Sequence, residues 1–176
     1  MTTHEIALPQ GPQQITDKNW WSSAFIGTPL GLFISDGVYQ HMRQDEEILD
    51  IRVQTQPSAW FRKLAERLKG FSEYPENWDS YGARRPQPRA IMLAVLMLEK
   101  LITEYNIPEP SVGPTSEGGI QIEWSTKGID LELEILSNLK IGASFEDQMT
   151  GEEWDQDTCD DFEAVIRAFK ILSERQ

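Results

Sequence analysis

The sequence predicts an α+β domain in which helices cover one face of a mostly antiparallel sheet, in the order β-β-α-α-β-β-β-α. Three observations carry that prediction. Residues 118–146 alternate apolar and polar side chains almost strictly, as strands buried on one face do. Two segments, near 60–70 and beyond 159, repeat apolar residues at helical spacing. Between them, "AIMLAVLML" (90–98) is apolar all round, which marks a buried helix rather than a surface one.

Taken in order, residues 1–19 are polar, rich in Gln and Pro and aperiodic, and read as a partly ordered arm; 20–176 read as one domain. "PLGLFIS" (29–35) and "ILDIRVQ" (48–54) alternate and fit strands. Trp60, Phe61, Leu64 and Leu68 form a helical stripe that Gly70 can close. A second helix is expected from Pro88 to about Tyr105, ended by "NIPEP" (106–110), since proline cannot continue the ladder. The 118–146 segment then forms a three-stranded meander. A two-residue turn at Lys127-Gly128 pairs Trp124 with Leu131 and Ile122 with Leu133. A three-residue loop, Leu136-Ser137-Asn138, would pair Ile135 with Leu139, with Asn138 taking the left-handed position and Lys140 facing Glu134. A last helix is expected from about residue 159, with Thr158 as N-cap, Asp160 and Asp161 in its first turn, and Phe162, Val165, Ile166, Phe169 and Leu172 on its apolar face.

Composition narrows the function classes. The chain has 176 residues, with 16 basic and 29 acidic, for a net charge of −13. Phosphate neutralisation needs the opposite sign, so direct nucleic-acid binding is not expected. Residues 111–176 hold 15 acids and 5 bases and so carry −10 of the −13, which points any electrostatic partner there. The single cysteine, Cys159, excludes an internal disulfide and a cysteine-cluster zinc site, and the acids around it disfavour its thiolate. His4 and His41 lack metal-ligand spacing, and no nucleophile elbow is present. "MTTHEIALPQ" lacks the basic start and apolar run of a signal peptide, and 90–98 is about half a membrane span. A soluble, cytoplasmic protein without cofactor or resident metal is expected.

Three places can carry function. The polar face of the meander sets Glu123 opposite Glu132 and Gln121 opposite Glu134, with Asp130 on the same side; like charges facing each other suit a basic partner or a cation, or simply keep a solvated sheet from aggregating. The run "EDQMTGEEWDQDTCDD" (146–161) matches a calcium loop poorly and reads as a solvated loop and helix cap. Within it, however, Trp154 stands among Glu152, Glu153, Asp155 and Asp157 and could anchor a Lys- and Arg-bearing partner. The loop "ENWDSYGARRP" (76–86) is the third: Trp78, Asp79, Tyr81, Arg84 and Arg85 can form a stacking, anion-gripping surface, or the loop is an anchored helix-to-helix connection in which Asn77 or Asp79 accepts loop amides.

"NWDSYGARRP" (77–86), an apolar helix, then "PSVGPTSEGGIQIEW" (110–124) resembles a widespread group of small bacterial proteins that share an N-W-D-(G or S)-Y-G-A loop and a downstream G-G-I-x-x-E-W strand. The resemblance spans about residues 57–146 and brings no activity or ligand with it. It implies that Trp78, Asp79, Tyr81, Glu123 and Trp124 belong to one recurring unit. The expected function is a non-enzymatic binding protein, of the immunity, antitoxin or inhibitor kind, that meets a basic protein through its acidic C-terminal third. The alternatives are a carboxylate enzyme, with or without a divalent metal, around Glu123, Asp130, Glu132 and Asp79, and a small chaperone-like or scaffold protein with an exposed apolar patch.

Overall fold

The computed structural model describes residues 33–35, 38–42, 49–53, 59–157 and 162–175. The expected arm at 1–19, its boundary with the domain, and residues 158–161 with Cys159 lie outside these. Strands β1 (Phe33–Ser35), β2 (Val38–Met42) and β3 (Leu49–Val53) form an antiparallel three-stranded sheet in chain order. Strands β1 and β3 fall within the two expected segments. Strand β2 was not foreseen, because "VYQHM" mixes polarity too much to declare a face. It places His41 at a register position opposite Asp50.

Helix α1 (Ala59–Phe71) buries Phe61, Leu64, Ala65 and Leu68 and leaves Arg62, Lys63, Glu66 and Arg67 exposed, which is the amphipathic stripe its sequence encodes. Helix α2 (Pro88–Tyr105) starts with proline in its first turn, where no amide partner is needed, and ends at Asn106 (φ 46°), whose N–H donates to the Ile102 carbonyl. Ile91, Leu93, Val95, Met97, Leu98 and Leu101 are all buried, so the helix is enclosed on most sides.

The expected meander is the centre of a larger sheet. Strands β4 (Ser111–Pro114), β5 (Ile120–Thr126), β6 (Ile129–Ile135), β7 (Ile141–Asp147) and β8 (Glu152–Gln156) lie side by side in chain order, every neighbour antiparallel. The Lys127-Gly128 turn pairs Trp124 with Leu131 and Ile122 with Leu133 as expected. Both turn residues have positive φ (47° and 75°), the geometry that matches strand twist. The next turn differs. Leu136 N–H donates to the Lys140 carbonyl, so the three-residue loop is Ser137-Asn138-Leu139 and Ile135 faces Ile141 rather than Leu139. Leu139 (φ 68°), not Asn138, takes the left-handed position, and Asn138 Oδ1 accepts from Lys140 N–H. The register slips by two residues, which leaves the same side chains on the same face; face preference alone therefore cannot separate the two pairings. As a result Glu134 faces Gly142, not Lys140.

Helix α3 (Glu163–Glu174) begins later than expected. Phe162 precedes it without a side-chain cap, and Glu163 is the acid of its first turn. It buries Val165, Ala168, Phe169 and Leu172. The Phe169 ring meets Trp124 edge-on at 5.3 Å and stacks on Tyr105 at 6.1 Å. Trp124 donates its indole N–H to the Pro108 carbonyl at 3.0 Å, so its burial strands no polar atom. One side of the five-stranded sheet, with Ile120, Ile122, Trp124, Leu131, Leu133 and Phe145, is thus the core, and helices cover it.

Candidate protein-docking face

Because strand side chains alternate, the opposite side of the sheet is set by the same register. Thirteen positions point that way, and seven are carboxylates: Glu123, Asp130, Glu132, Glu134, Glu146, Glu153 and Asp155. The other six are Ser, Gly or Gln, and none is Lys or Arg. One cross-strand row reads Ser111, Glu123, Glu132, Ser144, Asp155; the next reads Ser125, Asp130, Glu146, Glu153. The expected pairs Glu123–Glu132 and Gln121–Glu134 are both present.

Directly opposed like charges cost stability, and the sheet relieves little of it. Gln121 Nε2 donates to Glu123 at 2.8 Å, and Gln148 Nε2 to Asp130 at 3.0 Å. Desolvation, followed by the charge of Glu132, pushes the Glu134 carboxyl above its ordinary range. The face is shallowly hollowed. An open depression of about 350 Å³ is lined by Glu123, Asp130, Glu132, Glu146, Glu153 and Asp155, and another of about 310 Å³ by Glu132, Glu134, Asp155 and Asp157. Among the described residues no three His, Cys, Asp or Glu side chains converge as a metal site would require.

The described part of the run, residues 146–157, is not simply a loop: it closes the β7–β8 hairpin, and alternation divides its strand residues between the two sides. Glu153 and Asp155 join the acidic face, and Asp157 borders it just past the strand end. Glu152 and Trp154 point to the helix side. Trp154 is half-buried and stacks on Phe145 at 5.5 Å, so it packs at the rim of the core instead of standing among the acids. Asp147 is the one charged group in the described core. Arg175, just past α3, grips both its oxygens at 2.6 Å, while Met149 N–H and Thr150 Oγ1 add two more bonds. The hydrogen bonds from Arg175 hold the Asp147 carboxyl well below the usual carboxylate range. A carboxylate at core parity beside Phe145 was the sequence signal for such a partner.

The loop at 76–86 is strongly ordered from within. Asp79 Oδ1 accepts the Tyr81 amide at 2.8 Å and the Ala83 amide at 3.0 Å, and these bonds lower its pKa. Asn77 Oδ1 accepts from Gly82 N–H, and Trp78 donates its indole N–H to the Arg84 carbonyl. Arg85 donates its guanidinium to the Ser72 carbonyl and its backbone N–H to Glu76, so it ties the loop to the end of α1. Arg84 is exposed, 3.7 Å from Glu117. Tyr81 stands 93% exposed at the tip. The loop also docks on the turn before β5: Arg84 N–H donates to the Ser116 carbonyl and Gln87 N–H to Gly118. A glycine permits this approach: a Cβ on Gly118 would lie 2.9 Å from the Arg85 carbonyl oxygen. The W-D-S-Y-G-A loop and the G-G-I strand are therefore joined physically.

Several groupings did not form. Asp79 belongs to the loop, its oxygen occupied by amides, and is not part of the carboxylate rows at Glu123, Asp130 and Glu132. Among the described residues only Tyr81 and Met149 are large exposed apolar side chains, which offers no broad apolar patch. No described helix is long and apolar enough to cross a membrane. No known family, curated protein or solved structure matches the chain.

Proposed function

We propose that this chain is a non-enzymatic binding protein of the immunity, antitoxin or inhibitor kind, acting in a bacterial or phage-infected cytoplasm, and that it engages a basic protein through the outer face of its five-stranded sheet. One observation carries the reading: seven carboxylates and no cation occupy the thirteen outward positions. Mutual repulsion makes such a face costly in the free protein, and a partner rich in Lys and Arg removes that cost on docking. The same field speeds encounter and weakens with salt. Trp154, on the helix side of the same edge strand, serves as a contact at the sheet rim, and the Tyr81–Arg84 loop is a second contact region, outside the face.

The test is affinity capture with the full chain and with a Glu123→Gln, Glu132→Gln, Glu153→Gln, Asp155→Asn variant, followed by calorimetry on the protein retained. The expected result is a basic protein, held by the wild type and lost from the variant. Its affinity should fall on the order of tenfold or more between about 50 and 500 mM salt. Affinity indifferent to both salt and the four substitutions would overturn the reading.

A further inference from the structure

The two edges of the five-stranded sheet are built differently. Strand β4 is four residues long, ends in Pro114 and packs beside α1, so it is a blunted edge. Strand β8 is five residues long and contains no proline, and among the described residues no strand pairs with its far side. Glu152, Glu153 and Asp155 are exposed. The edge is also held firmly, since the β7–β8 turn closes over Asp147 with its two bonds to Arg175 and one each to Met149 and Thr150. An open strand edge that is already ordered is a template for an added strand.

Its side chains determine which strand fits. A second copy of β8 paired antiparallel about Trp154 would set Glu153 against the other copy's Asp155 twice, so like charges deter self-pairing. A strand with Lys or Arg at alternate positions meets Glu153 and Asp155 on the outer face instead. Its intervening residues fall on the helix side next to Trp154, whose ring already stacks on Phe145, and there apolar side chains are favoured. We propose that β8 is the docking edge for the basic partner: an extended segment alternating basic and apolar residues adds to the sheet alongside Glu152–Gln156. This rests on the basic-partner reading above and adds main-chain pairing to it.

The experiment uses the full chain and a labelled peptide of about nine residues alternating Lys or Arg with Val. A block peptide of identical composition and two alternating peptides N-methylated along opposite edges serve as controls. Fluorescence polarisation should show the alternating peptide binding at least about tenfold tighter than the block peptide, with one of the two N-methylated forms losing that advantage. Glu153→Gln with Asp155→Asn should weaken it by a similar factor, and the amides of Glu152–Gln156 that point away from β7 should gain protection from hydrogen exchange. Equal binding of block and alternating peptides, without new protection at β8, overturns edge pairing even where salt sensitivity upholds the electrostatic reading. Alternating-specific binding that ignores salt upholds the edge and overturns the electrostatics. No binding of any peptide at about 1 mM overturns the inference.

Discussion

Lys127 and Leu139 show how a single backbone angle escapes a reading of side-chain types. Both have positive φ, 47° and 68°, where an L side chain is disfavoured by roughly 1–2 kcal/mol. At Lys127 the strand pattern on either side forces the tight turn, so the sequence predicts it despite the unfavourable residue. At the next turn Asn138, the residue suited to the left-handed region, stands one position before the residue that adopts it. Lys127→Asn supplies the preferred Asn-Gly pair without touching the core. It should stabilise the protein by about 0.5–1 kcal/mol and raise Tm by a few degrees in a thermal melt. Asp79 is the converse case. That Asn77 or Asp79 accepts loop amides is legible because both side chains do so in turns, and here both do. Asp79→Ala, which frees the Tyr81 and Ala83 amides, should lower Tm by several degrees, whereas Asp79→Asn, which keeps an oxygen in place, should lower it less.

Elements are legible to the extent that one face is apolar. Strands β5 and β6 and helices α1 and α2 announced themselves; β8 did not, because at a sheet edge only Trp154 contacts the core and the other residues of "EEWDQ" carry no alternation to read. The acids of that strand were visible as a charged run, but their division between two sides needed the hairpin. The tie between this hairpin and α3 is Asp147 with Arg175, whose partnership spans 28 positions and has no local signature. Since the Asp147 carboxyl is held below its ordinary range, the stability it contributes is present above the unfolded-state value near pH 4 and is lost as pH falls toward the depressed native value. Arg175→Met should lower Tm on the order of 10 °C at pH 7. That gap should narrow below about pH 4. A difference that stayed constant down to pH 2 would show that the ion pair contributes nothing.

For the whole molecule, charge is the property most plainly written in the sequence, and its placement is what the fold adds. A net charge of −13, concentrated on one sheet face, makes the folded state self-repulsive, so added salt should raise Tm at neutral pH. The Glu134 carboxyl is raised, so its favourable contribution is complete below the unfolded-state value and declines as pH rises through the raised native value. Binding of a basic partner should tighten over the same rise, because the face then gains a charge. Glu134→Gln should flatten that part of the pH profile in a calorimetric titration.

The bonds from Arg84 and Gln87 to Ser116 and Gly118 have a topological consequence. They close a loop of backbone that contains α2 and β4, so the most buried of the described helices is tethered at its entry to the point where the chain returns towards β5. Circular permutants should respect this. New termini opened at Lys127-Gly128 leave the closed loop intact and should fold, whereas termini opened between Ser116 and Gly119 would release α2 from its clasp.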